Sequence, residues 1–207
     1  MSVQQTMAEH QLDYELIIVD DGSTDSTAQV VAGFNDSKIQ LISHGRNRGY
    51  GAALRTANKH ASGTTVCWMD SDGQYNPRNL LYMINMIPPY DLVVGNRIKR
   101  NDPQHRKVAA MIWNALSVAF LGFVVPDLDC GFKVYTQELA LLATSLSSQG
   151  NAFNVEFVYA AAQQGYKVGS VSVDSYPRTQ GEAKGLSLNV GIRALKDLLR
   201  IRHKHRL

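Results

Sequence analysis

The chain has 207 residues, 44% of them hydrophobic, and a net charge of only +3 at neutral pH. That is enough apolar material for one sizeable core, and it excludes a disordered or fibrous protein. Cys67 and Cys130 have no metal-ligand spacing and no signal peptide is recognisable, which points to a reducing cytoplasmic setting, while no stretch reaches the roughly 20 apolar residues that span a bilayer.

In chain order, residues 1–12 read as the tail of a helix. Residues 14–19 follow as a buried strand that ends at Asp20-Asp21-Gly22-Ser23. An apolar run bounded by turn residues suits a parallel sheet covered on both faces. Ser23 or Thr24 can cap a helix over 25–34. A short strand at 38–43 leads through His44-Gly45-Arg46-Asn47-Arg48-Gly49-Tyr50-Gly51 into a helix over 52–60. Glycines at that helix start would let backbone amides meet an anion.

The next strand runs into Asp70-Ser71-Asp72-Gly73-Gln74. In extended chain, residues i and i+2 share a face, so Asp70 and Asp72 can converge on one divalent cation. Carboxylate oxygens suit Mg²⁺ or Mn²⁺, held by one or two carboxylates together with substrate phosphates. Taken alone, such a triplet equally caps a turn or solvates a loop.

A helix at 77–86 and a strand at 91–95 follow, the strand delivering Asn96-Arg97 to the same sheet edge as the aspartates. Residues 108–123 are nearly all apolar. They read either as a buried core helix or as a helix lying in a membrane interface, with Trp113, Phe120 and the adjoining Arg100, His105, Arg106 and Lys107 favouring the latter. A polar turn at 125–131 enters a short strand, a helix begins near Asn154, and another strand covers 167–173. A glycine-containing basic loop, 176–184, precedes a last helix over 186–201 and a solvated basic tail containing His203 and His205. Strands alternating with helices make an α/β chain with right-handed crossovers, and no internal repeat or domain boundary interrupts it.

Six stretches in this order resemble the family-two glycosyltransferases of the dolichyl-phosphate mannosyltransferase and glucosyltransferase kind: Val19-Asp20-Asp21-Gly22-Ser23-Thr24-Asp25, Asn47-Arg48-Gly49-Tyr50-Gly51-Ala52-Ala53, Asp70-Ser71-Asp72-Gly73-Gln74, Gly95-Asn96-Arg97, Asp127-Leu128-Asp129-Cys130-Gly131-Phe132-Lys133 and the residues from Arg178 to Lys184. The resemblance implies a GT-A-type, Rossmann-like α/β fold, a mostly parallel sheet with helices on both faces. It implies one domain over residues 1–207 that lacks the family's first, central strand, so that both neighbouring strands lose ladder partners.

Residue by residue, the resemblance sets Val19 and Asp21 against the nucleoside of a nucleotide-sugar donor, with Ser71 approaching through its backbone. It puts Asp70 and Asp72 on the metal, Mg²⁺ or Mn²⁺, with Gln74 as its direct neighbour. Arg97, Arg178 and Lys184 would gather donor and acceptor phosphates, and Asp127 matches an acidic position of undefined role. The activity implied is inverting transfer of mannose or glucose from GDP-mannose or UDP-glucose to a polyprenyl or dolichyl phosphate, by a peripheral enzyme on the cytoplasmic membrane face. The absent strand leaves room for a partner chain or an oligomer.

Two alternatives remain open on sequence. One is a non-catalytic relative that binds a sugar nucleotide or lipid phosphate. The other is a dinucleotide-binding oxidoreductase, because Gly49-Tyr50-Gly51 opens a helix and Asp70 ends a strand about 20 residues later. Nucleic acid is not an expected partner, since no aromatic residues are interleaved with the basic runs for stacking.

Overall fold

The computed structural model describes residues 2–98, 104–122, 125–177 and 188–205. In chain order, α1 (Val3–Glu9), β1 (Leu16–Asp20), α2 (Thr27–Ala32), β2 (Ile39–Ser43), α3 (Tyr50–His60) and β3 (Thr65–Met69) alternate as the patterning predicts. They are followed by α4 (Asn79–Ile84), β4 (Leu92–Arg97), α5 (Gln104–Leu121), β5 (Phe132–Thr136), α6 (Gln137–Ser145), α7 (Ala152–Gln163), β6 (Val168–Val173) and α8 (Leu188–Lys204). Ser2 caps α1 with a complete capping box shared with Gln5. At α2, Asp25 rather than Ser23 or Thr24 supplies the acceptor, for the Thr27 amide and hydroxyl.

The α/β class stands, but parallel pairing is only half of the ladder. β1 and β2 pair in parallel, as do β4 and β6, whereas β5 enters antiparallel between β3 and β4. Nothing in the alternation of apolar residues encodes strand direction, so this insertion was beyond the sequence pattern.

Among the described residues the strands form two sheets, β1–β2 and β3–β5–β4–β6. The resemblance expects a central strand to be absent, and the ladder is divided between β1 and β3. Both run the same way along α3, joined by side chains instead of a backbone ladder. The Glu15 carboxylate, just before β1, accepts from the Ser62 amide and hydroxyl and from the Gly63 amide, just before β3. At the other end, Asp21 and Asp70 reach the adjacent residues Gly49 and Tyr50. Leu16, Ile17, Ile18 and Val19 are therefore only half-buried, although such a run is typical of a fully covered strand.

The core lies under the larger sheet. Leu92, Val93 and Val94 of β4 and Phe132, Val134 and Tyr135 of β5 are wholly buried. Trp68 stands edge-on to Tyr135 at 5.8 Å, and Phe157 of α7 meets both rings at 5.2 and 5.0 Å. Such buried side chains contribute about 1.5–3 kcal/mol each.

The end of α8 is a solvated tail only in part: His203 is exposed, but His205 turns in to Glu156. Glu156, 1% exposed on α7, accepts from the Ser148 amide at 2.7 Å, Lys204 Nζ at 3.0 Å and His205 Nε2 at 3.0 Å. Burial alone would raise this carboxyl, but the donors from His205, Ser148 and Lys204 outweigh it and hold the group down at about 2. A depressed folded pKa stabilises above the unfolded value of 4.5 and is lost as pH falls towards 2. Glu156→Gln should therefore lower the thermal midpoint at pH 7 by about 4–8 °C, for about 2 kcal/mol, and the deficit should close between pH 4.5 and 2 in melts followed by circular dichroism.

Candidate functional site

The carboxyl ends of β1, β3 and β4 carry the acidic and basic side chains that the sequence singles out. At β1, Asp21 is folded back on the protein. One oxygen accepts from His44 Nδ1 at 2.7 Å and the Arg48 amide at 2.9 Å, and the other from the Gly49 amide at 2.7 Å. Burial opposes ionisation, yet these donors hold the Asp21 carboxyl below its ordinary value. The anion at the start of α3 is thus Asp21 itself, which corrects the expectation of an external one there. It also removes the amide cradle on which the dinucleotide-binding alternative rested. Gly22 has φ +78°, and a Cβ there would fall 2.4 Å from the Arg46 backbone, so only glycine lets this turn nest against the 46–47 loop. Val19 lies half-buried in β1, opposite Ile42.

The Asp70–Gln74 segment is a turn beyond β3, so strand alternation is not what brings its carboxylates together. Asp72 Oδ1 accepts the Gln74 amide at 3.1 Å, an Asx turn that folds the loop back. Asp70 is held on two sides. Its amide donates to Gly131 O at 2.9 Å, and Tyr50 donates its hydroxyl proton to Asp70 Oδ1 at 3.1 Å. Gly131 lies directly against the carboxylate, since a Cβ there would fall 2.0 Å from Oδ2. Burial raises the Asp70 carboxyl; Tyr50 works against this, and nearby Asp72 adds to it. Ser71 is exposed at the tip of the turn.

Gln74 turns towards the 174–177 segment. Its Nε2 donates to Tyr176 O at 3.4 Å, the Tyr176 amide returns a bond to Gln74 O at 2.8 Å, and Tyr75 bridges Ser175. The segment that leads to Arg178 is thereby tied to the aspartate turn. Arg178 and Lys184 themselves lie outside the described residues.

Arg97, at the end of β4, is clasped by Asp127, with Nε to Oδ2 at 2.6 Å and Nη2 to Oδ1 at 2.8 Å. Burial disfavours the charged guanidinium, but the Asp127 contacts outweigh it and raise its pKa. Asp127, whose role sequence left open, therefore holds Arg97 in place. The same 127–131 turn places Gly131 under Asp70, and the Tyr75 hydroxyl accepts the Gly131 amide at 3.0 Å. Asp70 is tied to the 127–131 turn at Gly131 and Arg97 to the same turn at Asp127, so one sheet edge gathers the aspartate turn and Arg97. Tyr50, Tyr75, Lys133 and Asn154 complete this edge. Sequence reading gave them no role, although Tyr50 and Lys133 lie within two of the quoted motifs.

The donor chemistry fits a divalent cation. Asp70, Asp72 and the amide oxygen of Gln74 are hard ligands, but among the described residues no group of three or more His, Cys, Asp or Glu gathers to hold a metal by itself. A cation here would share its sphere with a phosphorylated ligand and water, the habit of Mg²⁺ and Mn²⁺.

Residues 2–141 match the profile of a family described as glycosyl transferase family 2. A dolichyl-phosphate beta-glucosyltransferase from Dictyostelium discoideum is 30% identical over 211 residues, which cover 94% of this chain and 64% of the relative. A second dolichyl-phosphate beta-glucosyltransferase, from Trichomonas vaginalis, is 28% identical over 99% of this chain and 66% of its own length. A dodecaprenyl-phosphate galacturonate synthase from Rhizobium johnstonii is 29% identical over 91% of this chain and 56% of its own length. The chain thus spans between half and two thirds of each of these relatives. Among solved structures, glucosyl-3-phosphoglycerate synthase from Mycobacterium tuberculosis, in complex with Mn²⁺, UDP and phosphoglyceric acid, superposes with a TM-score of 0.71 over 98% of this chain and 72% of that one, at 18% identity.

Proposed function

Because the chain belongs to glycosyltransferase family 2, matched over residues 2–141, we propose that it moves a hexose from a nucleotide-sugar donor to a polyprenyl or dolichyl phosphate with inversion at the anomeric carbon. The observation that carries this reading is the convergence of the Asp70–Asp72 turn with the Asp127-held Arg97 at one sheet edge. The two dolichyl-phosphate glucosyltransferase relatives favour glucose, and the Mn²⁺ and UDP of the structural neighbour favour a uridine diphosphate donor with Mn²⁺ over Mg²⁺.

A phosphate acceptor is already anionic at neutral pH, so its oxygen attacks the anomeric carbon without a strong base. The bond to the departing nucleoside diphosphate breaks in the same step. Asp70 and Asp72 would hold a divalent cation there, with Gln74 beside them. A bound divalent cation there acts as a Lewis acid that offsets the charge of the leaving group. Arg97, its Nε and Nη2 held by Asp127, keeps its remaining guanidinium N–H groups for the two anionic reactants, and Arg178 and Lys184 would add positive charge. Positioning and charge compensation therefore supply most of the rate.

The acceptor's hydrocarbon tail requires the site to meet a bilayer. On α5, Val108, Met111, Ile112 and Leu116 are exposed at i, i+3, i+4 and i+8, an apolar ridge following the basic sequence 105–107. Trp113 is not part of that ridge, since it is half-buried and packs against the core, a correction to its expected interfacial place. Among the described residues no helix is long and apolar enough to cross a membrane. The reading is accordingly a protein that lies on the cytoplasmic face through α5. An extended strand seated between β1 and β3, whether from polypeptide adjoining residues 1–207 or from a partner chain, would complete the ladder of this single domain.

The test is a radiolabelled transfer assay with a panel of sugar nucleotides and a short polyprenyl phosphate, with and without Mn²⁺. Lipid-linked product from one donor, dependent on both metal and lipid phosphate, is expected. The divided sheet favours one second reading, a non-catalytic binder, for which donor binding without transfer would be the signature.

A further inference from the structure

The ladder between β3 and β5 ends in a way that the transfer mechanism does not use. Met69 stands opposite Phe132, so the next pair along is Asp70 with Gly131. In an antiparallel ladder such a pair exchanges both of its backbone bonds or neither. Here it makes one. The Asp70 amide donates to Gly131 O at 2.9 Å, but the buried Gly131 amide donates to the Tyr75 hydroxyl at 3.0 Å.

Tyr75 is held for this contact. It is 6% exposed, its ring lies 5.4 Å from that of Phe132, and its backbone bridges Ser175 in antiparallel pairing. The Cys130 thiol, a weak donor, faces the same oxygen at 3.6 Å. A buried amide needs an acceptor, and because the hydroxyl supplies one, the chain can leave the sheet at Asp70. The turn that follows carries Asp72, whose Oδ1 takes the Gln74 amide at 3.1 Å. On the facing side, the turn that delivers Gly131 also holds Arg97 through Asp127.

We infer that Tyr75 is a positioning residue: by taking the Gly131 amide from Asp70, it ends the β3–β5 ladder where the Asp70–Asp72 turn leaves the sheet to meet a divalent cation beside Arg97. The inference rests on the proposed reading in that Asp70 and Asp72 are taken as cation ligands. Without the hydroxyl, the Gly131 amide turns to the carbonyl opposite it, Asp70 O. Closing that pair draws the first residue of the turn back into the strand.

Tyr75→Phe tests this, because the ring keeps its place against Phe132 and only the acceptor goes. The scalar coupling across N–H···O=C bonds, read by NMR in the ligand-free protein, should connect Gly131 N to Asp70 C′ in the variant and not in the wild type. Mn²⁺ binding in the presence of UDP, followed by the electron paramagnetic resonance of free Mn²⁺, should weaken about 10-fold, the lower end of what loss of an outer partner does to a metal site. The thermal midpoint should barely move, since one acceptor replaces another. A residue that served only the fold would show the reverse, a lower midpoint with Mn²⁺ affinity intact, and that result overturns the inference. So does a variant in which the new coupling fails to appear, or in which it appears with no loss of Mn²⁺ affinity. If Tyr75→Phe does not fold, the wild type decides: a Gly131 N to Asp70 C′ coupling there overturns the inference, and an Asp70 N to Gly131 C′ coupling alone supports it. A wild type that binds no Mn²⁺, beside a variant that still closes the pair, would remove the cation and leave Tyr75 as the residue that ends the ladder.

Discussion

Asp72→Asn is expected to abolish metal-dependent transfer, by at least about 10³-fold, while leaving the thermal midpoint where it is. The charge term is large because a bound cation contributes several kcal/mol of transition-state stabilisation, and this site has few carboxylates with which to hold one. The structural term is small because asparagine keeps an Oδ1 that can accept the Gln74 amide, so the turn survives. Transfer assays with and without Mn²⁺, alongside a melt of the same preparation, check both halves. Activity retained in Asp72→Asn would take the cation out of the mechanism, and a collapsed melting curve would mean that Asp72 is needed by the fold instead.

Asp127→Ala should do the opposite and damage fold and function together. Asp127 is 7% exposed and holds a guanidinium that is itself largely enclosed. Removing one partner strands a buried charge, which costs about 3–5 kcal/mol, or about 6–20 °C in the midpoint of a chain this size. Replacing both partners with apolar residues avoids that penalty, so Arg97→Met with Asp127→Leu should recover most of the lost stability. Transfer should not return, because the cation proposed to meet the phosphates is gone. Recovery of activity in the double variant, measured as kcat/KM with a short polyprenyl phosphate, would show that Arg97 serves only the fold.

Both expectations concern residues visible in the sequence, but their roles came from different sources. Asp72 stood out as a candidate cation ligand from two carboxylates closing a strand. Asp127 was recognisable only as an acidic position, and its grip on Arg97, 30 residues away, had to be seen. A helix, α6, was missed because Gln137–Ser145 follows β5 with no turn residue between them to announce a new element. His205 was assigned to a solvated tail on its basic neighbours, yet its partner Glu156 lies 49 residues earlier.

By itself the sequence determined the alternation of strands and helices, the acidic turn after β3 and the basic end of β4. These are local patterns, written in apolar runs and turn residues that lie within about ten residues of one another. Only the tertiary structure decided that β5 runs backwards between β3 and β4, that Asp21 occupies the α3 amides, that Lys133 meets Asn154 and that Tyr50 meets Asp70. The physical reason is that a buried polar group must find its partner wherever the folded chain brings one. Those partners, 77 residues apart for Tyr135 and Asn58, leave no periodic mark in the sequence.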